Sequence, residues 1–211
     1  KDENKKIPSW ITEMVDSGHS SFYKYIDGCM HFYSPDEKTY KKLPISNKDT
    51  TFFDLKKNNL LIKKNWSASL VDLGDGVSGV EFHSILKEDL NPIDGSIMET
   101  LKFARDWTEE NNYKGLVISG DGKNFCAGAN LNMILDFAER KDWEGLENVI
   151  GLMQSIMQDL RFAPFPVVAA PFGLVLGGGY ETIGACDRIV AAAESYIGLV
   201  EVGVGLIPGA G

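Results

Sequence analysis

The segment Phe165-Pro-Val-Val-Ala-Ala-Pro-Phe-Gly-Leu-Val-Leu-Gly-Gly-Gly-Tyr-Glu-Thr-Ile-Gly-Ala-Cys-Asp-Arg-Ile-Val-Ala191 decides the architecture. Phe165 to Ala170 is short and apolar, which predicts a buried strand. A glycine turn, Leu176 to Glu181, separates it from a helix near Glu181 to Ala185. Arg188-Ile-Val-Ala191 then predicts the next strand. A strand, a tight turn, a helix and a strand in this order make a unit of parallel sheet covered by helices, the α/β class.

Working outward, the same alternation continues. Gly115-Leu-Val-Ile-Ser119 predicts a buried strand, and Asn130 to Arg140 and Leu146 to Leu160 predict helices. The second of these carries apolar positions at Val149, Leu152, Met153, Ile156 and Leu160. Ile93, Ile97, Leu101 and Ala104 step by four, four and three, which predicts a helix from about Asp94 to Asn111. Ser69 to Leu73 and Gly79 to His83 form a hairpin through Gly74-Asp75-Gly76. Residues 1 to 65 differ in character, being Lys-rich and aromatic. Ser9 is placed as the cap of a short helix that Gly18 ends. Ser21 to Gly28, Met30 to Ser34 and Thr39 to Leu43 follow as strands, and Thr51 to Asn59 as a short helix. This predicts a small α+β segment ahead of the α/β domain, with the boundary near residue 65.

Composition narrows the function. The 211 residues are 44% hydrophobic and 24% charged, enough to bury a core. Thirty acidic residues against 21 basic ones give a net charge of −9. That balance lacks the basic footprint of a nucleic-acid binder. Three cysteines without a CxxC spacing predict neither a disulfide framework nor a zinc site, and point to a reducing cytoplasmic setting. The charged start, Lys1 to Lys6, has no apolar stretch behind it, so no signal peptide is expected. No apolar run approaches the roughly 20 residues that span a bilayer.

Three segments carry chemistry. Gly122-Lys-Asn-Phe-Cys-Ala-Gly-Ala-Asn130 joins a strand to a helix through small residues that let backbone N–H groups approach a ligand. Leu176-Gly-Gly-Gly-Tyr-Glu181 does the same at a helix start, where negative charge is favoured. It is neither a P-loop, having no GK[ST], nor a GxGxxG fingerprint. Taken alone, each turn is accounted for by packing. Gly198-Leu-Val-Glu-Val-Gly-Val-Gly-Leu-Ile-Pro-Gly-Ala-Gly211 places Glu201 in an apolar run, either facing solvent at a helix start or buried and functional. Glu181 has the same two readings.

The combination is more specific than its parts. FCAGAN, then LGGGYE followed by Ala185-Cys-Asp187, then LVEVGVGLIPGAG, resembles the crotonase (enoyl-CoA hydratase) family over about Ser69 to Gly211. Ser21-Phe-Tyr-Lys, Leu73-Gly-Asp-Gly-Val77, Val80-Glu-Phe-His-Ser84 and Gly198 to Gly205 resemble the subgroup in which a 3-hydroxyacyl-CoA dehydrogenase precedes the hydratase. The resemblance implies a crotonase-like ββα spiral over 66–211, incomplete at its C-terminus because the family usually continues past PGAG with further helices. Residues 1–65 would be the tail of the dehydrogenase C-terminal domain and the junction.

The same resemblance implies an activity: addition of water to trans-2-enoyl-CoA, giving 3-hydroxyacyl-CoA, in fatty-acid beta-oxidation. It assigns catalysis to Glu181, which activates the water, and Glu201, which protonates C2. The oxyanion hole falls to the N–H groups of Ala129 and Gly178, and substrate binding to Ala127, Gly128, Asn130, Gly177, Pro208 and Gly209. No metal is implied. The hydratase step takes an acyl-CoA thioester and no cofactor, and NAD belongs only to the dehydrogenase part of the parent protein. A homo-oligomer is implied at full length. Lys123 and Lys87 are candidate charge partners for CoA, with ordinary solvated lysines as the competing reading. Two departures stand out: Asn130 replaces the family's usual Asp, and Cys126, expected to be buried and unreactive, stands in the first loop. Enoyl-CoA isomerisation, acyl-CoA hydrolysis and an inactive fragment remain as alternatives.

Overall fold

The protein is described by a computed structural model over residues 7–26, 29–43 and 50–210. Predictions that touch Lys1 to Lys6, Asp27 and Gly28 lie outside the described residues. The chain divides into two compact units, Lys1–Asp49 and Thr50–Gly211.

The first unit holds helix α1 (Ser9–Asp16) and an antiparallel sheet of β1 (Tyr23–Ile26), β2 (Cys29–Ser34) and β3 (Thr39–Lys42), in that order. Pro8, not Ser9, occupies the cap of α1, and no side chain bonds there. Proline presets the φ that a helix start needs and has no N–H to satisfy, so the cap does not call on the serine. Gly18, with φ +81°, ends the turn that follows the helix as expected. Buried Tyr33 stacks against His19 and Tyr40, with ring centroids 5.3 and 5.7 Å away.

The second unit is built on a six-stranded sheet. Its strands are β4 (Leu61–Lys64), β5 (Ala68–Gly74), β6 (Val77–Phe82), β7 (Gly115–Ser119), β8 (Val167–Ala169) and, after a gap in sequence order, Arg188–Ile189. They lie in the order Arg188–Ile189, β8, β7, β6, β5, β4. β4, β5 and β6 pair antiparallel, whereas β6, β7, β8 and Arg188–Ile189 run parallel. Helices α2 (Phe52–Lys57), α3 (Gly95–Glu110), α4 (Leu131–Arg140) and α5 (Trp143–Arg161) complete the scaffold. A second, two-stranded parallel sheet pairs β9 (Leu174–Leu176) with Tyr196–Gly198. Between them runs α6 (Gly178–Gly184), followed by Arg188–Ile189 as β10 and Tyr196–Gly198 as β11.

The α3 periodicity is realised fully: Ile93, Ile97, Leu101 and Ala104 are all buried, and Asp94 caps the helix by accepting from the Ile97 N–H at 2.9 Å. In α5 the buried stripe is Met153, Ile156, Met157 and Leu160. Leu152 lies one step off that stripe and is 44% exposed. The boundary near residue 65 moves to Asp49/Thr50. Leu61–Lys64 pairs with β5, and Phe52 and Leu55 of α2 pack on Val71. The lysines that made this stretch resemble the preceding one belong to an edge strand, where charge discourages further pairing. Lys63 also reaches Glu99 of α3 at 2.7 Å.

One ion pair fastens α2 to the sheet: Lys56 Nζ lies 2.6 Å from Glu81 Oε2, and the Glu81 side chain is buried. Removing one partner of a buried pair leaves an uncompensated charge, at a cost of about 3 kcal/mol. Lys56→Met is therefore expected to lower stability by that amount in urea unfolding. The double variant Lys56→Met/Glu81→Leu should lose less than the single one, and equal losses would show that the pair does not carry the effect.

Candidate active site

The site forms where four segments meet beyond the C-terminal ends of the parallel strands. Phe125 N–H donates to Phe172 O at 2.9 Å, Cys126 N–H to Leu174 O at 3.0 Å, and Leu176 N–H to Cys126 O at 2.9 Å. This short parallel ladder carries Ala127 to Ala129 alongside Gly177 and Gly178. The other flank of the loop is held by the chain between β6 and α3. Ala127 N–H donates to Leu90 O at 2.7 Å, Ile93 N–H to Gly128 O at 2.8 Å, and Asn130 N–H to Ile93 O at 3.0 Å.

The glycine triplet is not a turn ahead of the helix, as predicted, but mostly the helix itself. α6 starts at Gly178, with Gly177 as its cap at φ +54°, ψ −122°. What glycine supplies at Gly179 is close approach: a Cβ there would stand 2.5 Å from the Cys126 carbonyl oxygen. The two loops consequently touch through their main chains. The Ala129 nitrogen lies 3.6 Å from the position a Gly178 Cβ would take, and the Gly178 nitrogen 3.9 Å from that of a Gly128 Cβ. Among the described residues, neither N–H donates to any acceptor. Two unused donors side by side are what an oxyanion requires.

The two glutamates lie on the segments next to the triplet: Glu181 in α6, two residues after Gly179, and Glu201 with a carboxylate oxygen beside Gly177. Glu181 is buried in α6, and its Oε1 accepts from the Ala210 N–H at 2.6 Å. Glu201 opens the 3-10 helix Glu201–Val204. Its Oε1 lies 3.0 Å from the position of a Gly177 Cβ, and its Oε2 is buried with no hydrogen-bond partner among the described residues. Glu201 falls between its two sequence readings: it stands at a helix start and is half-buried. A carboxylate oxygen withdrawn from water favours a hydrogen-bond donor beside it.

The remaining sequence candidates divide. Ala127, Gly128, Asn130 and Gly177 belong to the meeting loops. Asn130 caps α4, its side chain accepting from Asn132 N–H at 3.2 Å, so it performs the capping role an Asp would fill without the charge. Gly209 borders α5, its carbonyl accepting from Gln154 Nε2 at 2.7 Å. Pro208 is exposed and leads the chain to Ala210, the neighbour that holds Glu181 and that sequence reasoning passed over. A backbone donor leaves no trace in residue type, so nothing in the sequence marked it. Lys123 pairs with Asp89 at 3.1 Å, both exposed, and Lys87 is exposed. A cavity of about 430 Å³ runs along α5 beside Gly209, lined by Trp143, Leu146, Glu147, Ile150, Gly151 and Gln154. A larger one, about 570 Å³, is lined by Lys64, Asn65, Trp66, His83 and Ile85 and includes none of the site residues.

Comparison with known proteins gives a consistent result. Residues 75–211 match the enoyl-CoA hydratase/isomerase family. The chain is 44% identical over 205 residues to a Bacillus subtilis (strain 168) protein described as "Probable 3-hydroxyacyl-CoA dehydrogenase", covering 97% of this chain and 25% of that protein. It is 37% identical over 129 residues to the fatty acid oxidation complex subunit alpha of Aliivibrio fischeri, covering 59% of this chain and 18% of that one. It thus spans about a quarter or less of the length of these curated relatives. Among solved structures, the enoyl-CoA hydratase from Bacillus anthracis superposes with a TM-score of 0.61 at 29% identity, over 69% of this chain and 55% of that one. The fold is crotonase-like.

Burial pushes the thiols of Cys126 and Cys186 up to about 12, so neither is a thiolate near neutral pH. Peptide-resolved alkylation at pH 8 is expected to leave Cys126 unmodified until urea unfolds the chain. Rapid labelling of Cys126 in the folded protein would contradict the packing of the first loop on Gly179.

Proposed function

The chain belongs to the enoyl-CoA hydratase/isomerase family, and from that premise we propose that it adds water to a trans-2-enoyl-CoA thioester in fatty-acid beta-oxidation. What supports this reading is the closeness of the Ala129 and Gly178 amides, with Glu201 beside Gly177 and Glu181 on the helix that Gly178 opens. Glu181 and Glu201 are 20 positions apart (201 − 181) in sequence, yet they flank the same three glycines.

In this reading the thioester oxygen accepts from the Ala129 and Gly178 N–H groups. The water oxygen forms its bond to C3 while Glu181, steadied by Ala210, takes a proton from that water. The C2–C3 π electrons move toward the thioester, and the charge that collects on its oxygen is met by the two amides. Such preorganised donors contribute about 3 kcal/mol each to the transition state. A proton delivered from Glu201 then forms the C2–H bond, and the thioester carbonyl is restored. The proton on Glu181 passes back to Glu201 through solvent, so the net change is one water added across one double bond. No redox step occurs, so the hydration itself calls for no cofactor. The family's isomerases shift a double bond without adding water. A pair of acids suits hydration because one water must lose a proton on one side while C2 gains one.

The product, a 3-hydroxyacyl-CoA, is the substrate of the dehydrogenase named in the 44%-identical relative. We place this chain as the hydratase part of a longer bifunctional protein in the cytoplasm. NAD would serve only the dehydrogenase part, and residues 1–49 would close that part's C-terminal domain. Val202 and Ile207, each 81% exposed, lie on the surface to which we assign self-association at full length.

Glu181→Gln and Glu201→Gln in the full-length protein are each expected to reduce hydration of crotonyl-CoA by about 10²–10⁴-fold. Acyl-CoA binding should be retained in both. Near-wild-type turnover in either variant would remove the role given to that residue. Conversion of 3-enoyl-CoA to 2-enoyl-CoA without a 3-hydroxy product would assign the site to isomerisation instead.

A further inference from the structure

The oxyanion pair works only if two separate loops stop at the right places, and one side chain ties them. Asn124 Oδ1 accepts from the Leu174 N–H at 2.8 Å, while the Leu174 carbonyl accepts from the Cys126 N–H at 3.0 Å. Both main-chain groups of Leu174 are thus satisfied by the first loop, one of them by a side chain. From this point the first loop runs on to Ala129 and β9 runs on to Gly178. The carboxamide's other end donates to Asp89 O at 2.6 Å. The Asn124 carbonyl accepts from Asn91 Nδ2 at 3.0 Å, and Asn91 Oδ1 accepts from the Ser84 N–H at 2.8 Å. The third segment is therefore held by the same clasp. Gly173, at φ +57°, makes room for it: a Cβ there would stand 2.5 Å from Asn124 Oδ1 and 2.4 Å from the Lys123 carbonyl oxygen.

We propose that the Asn124 carboxamide is a positioning residue that sets the register between the loops bearing the Ala129 and Gly178 amides. The inference rests on the oxyanion-hole reading of those two amides. Its physical basis is a difference of scale. A slip of one residue along paired strands displaces a group by about 3.3 Å, whereas a donor must lie about 2.7–3.1 Å from its oxyanion. A parallel ladder as short as this has few main-chain bonds to resist such a slip. Asparagine suits the position because one short side chain offers an acceptor to Leu174 and a donor to Asp89. Aspartate keeps the first function and loses the second, and leucine, of similar size, loses both.

The test uses the full-length protein with three substitutions and two readouts: steady-state hydration of crotonyl-CoA, and the infrared carbonyl stretch of a bound saturated acyl-CoA. In the unaltered protein the stretch is expected to fall on binding, as two donors polarise the carbonyl. Asn124→Leu should lower kcat by about 10²-fold, the loss typical of one oxyanion donor. KM should change by less than about threefold, since loss confined to kcat marks an interaction made in the transition state. The bound stretch should return toward its value in solution. Asn124→Asp, which keeps the acceptor for Leu174 but sets its second oxygen against the Asp89 carbonyl, should recover both effects in part. If Asn124→Leu does not fold, Asn124→Ser, whose hydroxyl falls short of the Leu174 amide, must shift both readouts in the same direction. A normal kcat in the folded variants, or a reduced kcat with the stretch unchanged, overturns the positioning role. An undisplaced stretch in the unaltered protein overturns the oxyanion reading itself, and the positioning role with it.

Discussion

The approach of Gly179 to the Cys126 main chain is the constraint on which the rest of the site depends. A single methyl group at Gly179 would stand 2.5 Å from the Cys126 carbonyl oxygen, 2.9 Å from its Cβ and 3.1 Å from its sulfur. The nearest of these atoms is backbone, and a packed interior gives it nowhere to move. Only with glycine there can α6 begin against the first loop, which brings the Ala129 and Gly178 amides close together. The burial that holds the Cys126 thiol neutral is another consequence of the same contact.

Around that contact the protein accepts local costs. Glu181 is buried, and one oxygen of Glu201 is buried without a partner among the described residues. Gly177 is held at a φ that other residues avoid. Departures of this kind from ordinary packing rules collect at functional sites, where the surrounding structure over-determines them. Here the surroundings are strong. The core beneath joins β5 to β8 with α3 and α5 through Leu70, Val80, Leu101, Leu116, Ile118, Ile156 and Val167. Residues from four separated parts of the chain converge on the site: Leu90 and Ile93, the first loop, the triplet, and the segment from Glu201 to Ala210.

Much of the scaffold was legible because its signals are local. The α3 stripe was visible as a spacing of apolar residues. β7 matches its predicted ends, and the β5–β6 hairpin was marked by Gly74-Asp75-Gly76. β9 and β11 were not legible. Each is three residues long, and each is completed by pairing with the other, a long-range event that no window of sequence contains. β4 was hidden for a different reason. Its lysines serve the edge of the second unit's sheet, so composition grouped it with the preceding segment.

The sequence by itself determined which groups are available: small residues where main chains must approach, two glutamates, and an asparagine able to cap α4 in place of an aspartate. Residue types and short spacings carry that information, since they limit what a loop or helix can do locally. Tertiary structure alone decided that Glu201 is half-buried and turned toward the triplet, that Ala210 offers its N–H to Glu181, and that Asn124 joins the two donor loops. Each is a contact between segments remote along the chain. Two of them use main-chain N–H groups that every residue but proline possesses, so their partners are chosen by packing and not by the side chain of the residue that donates.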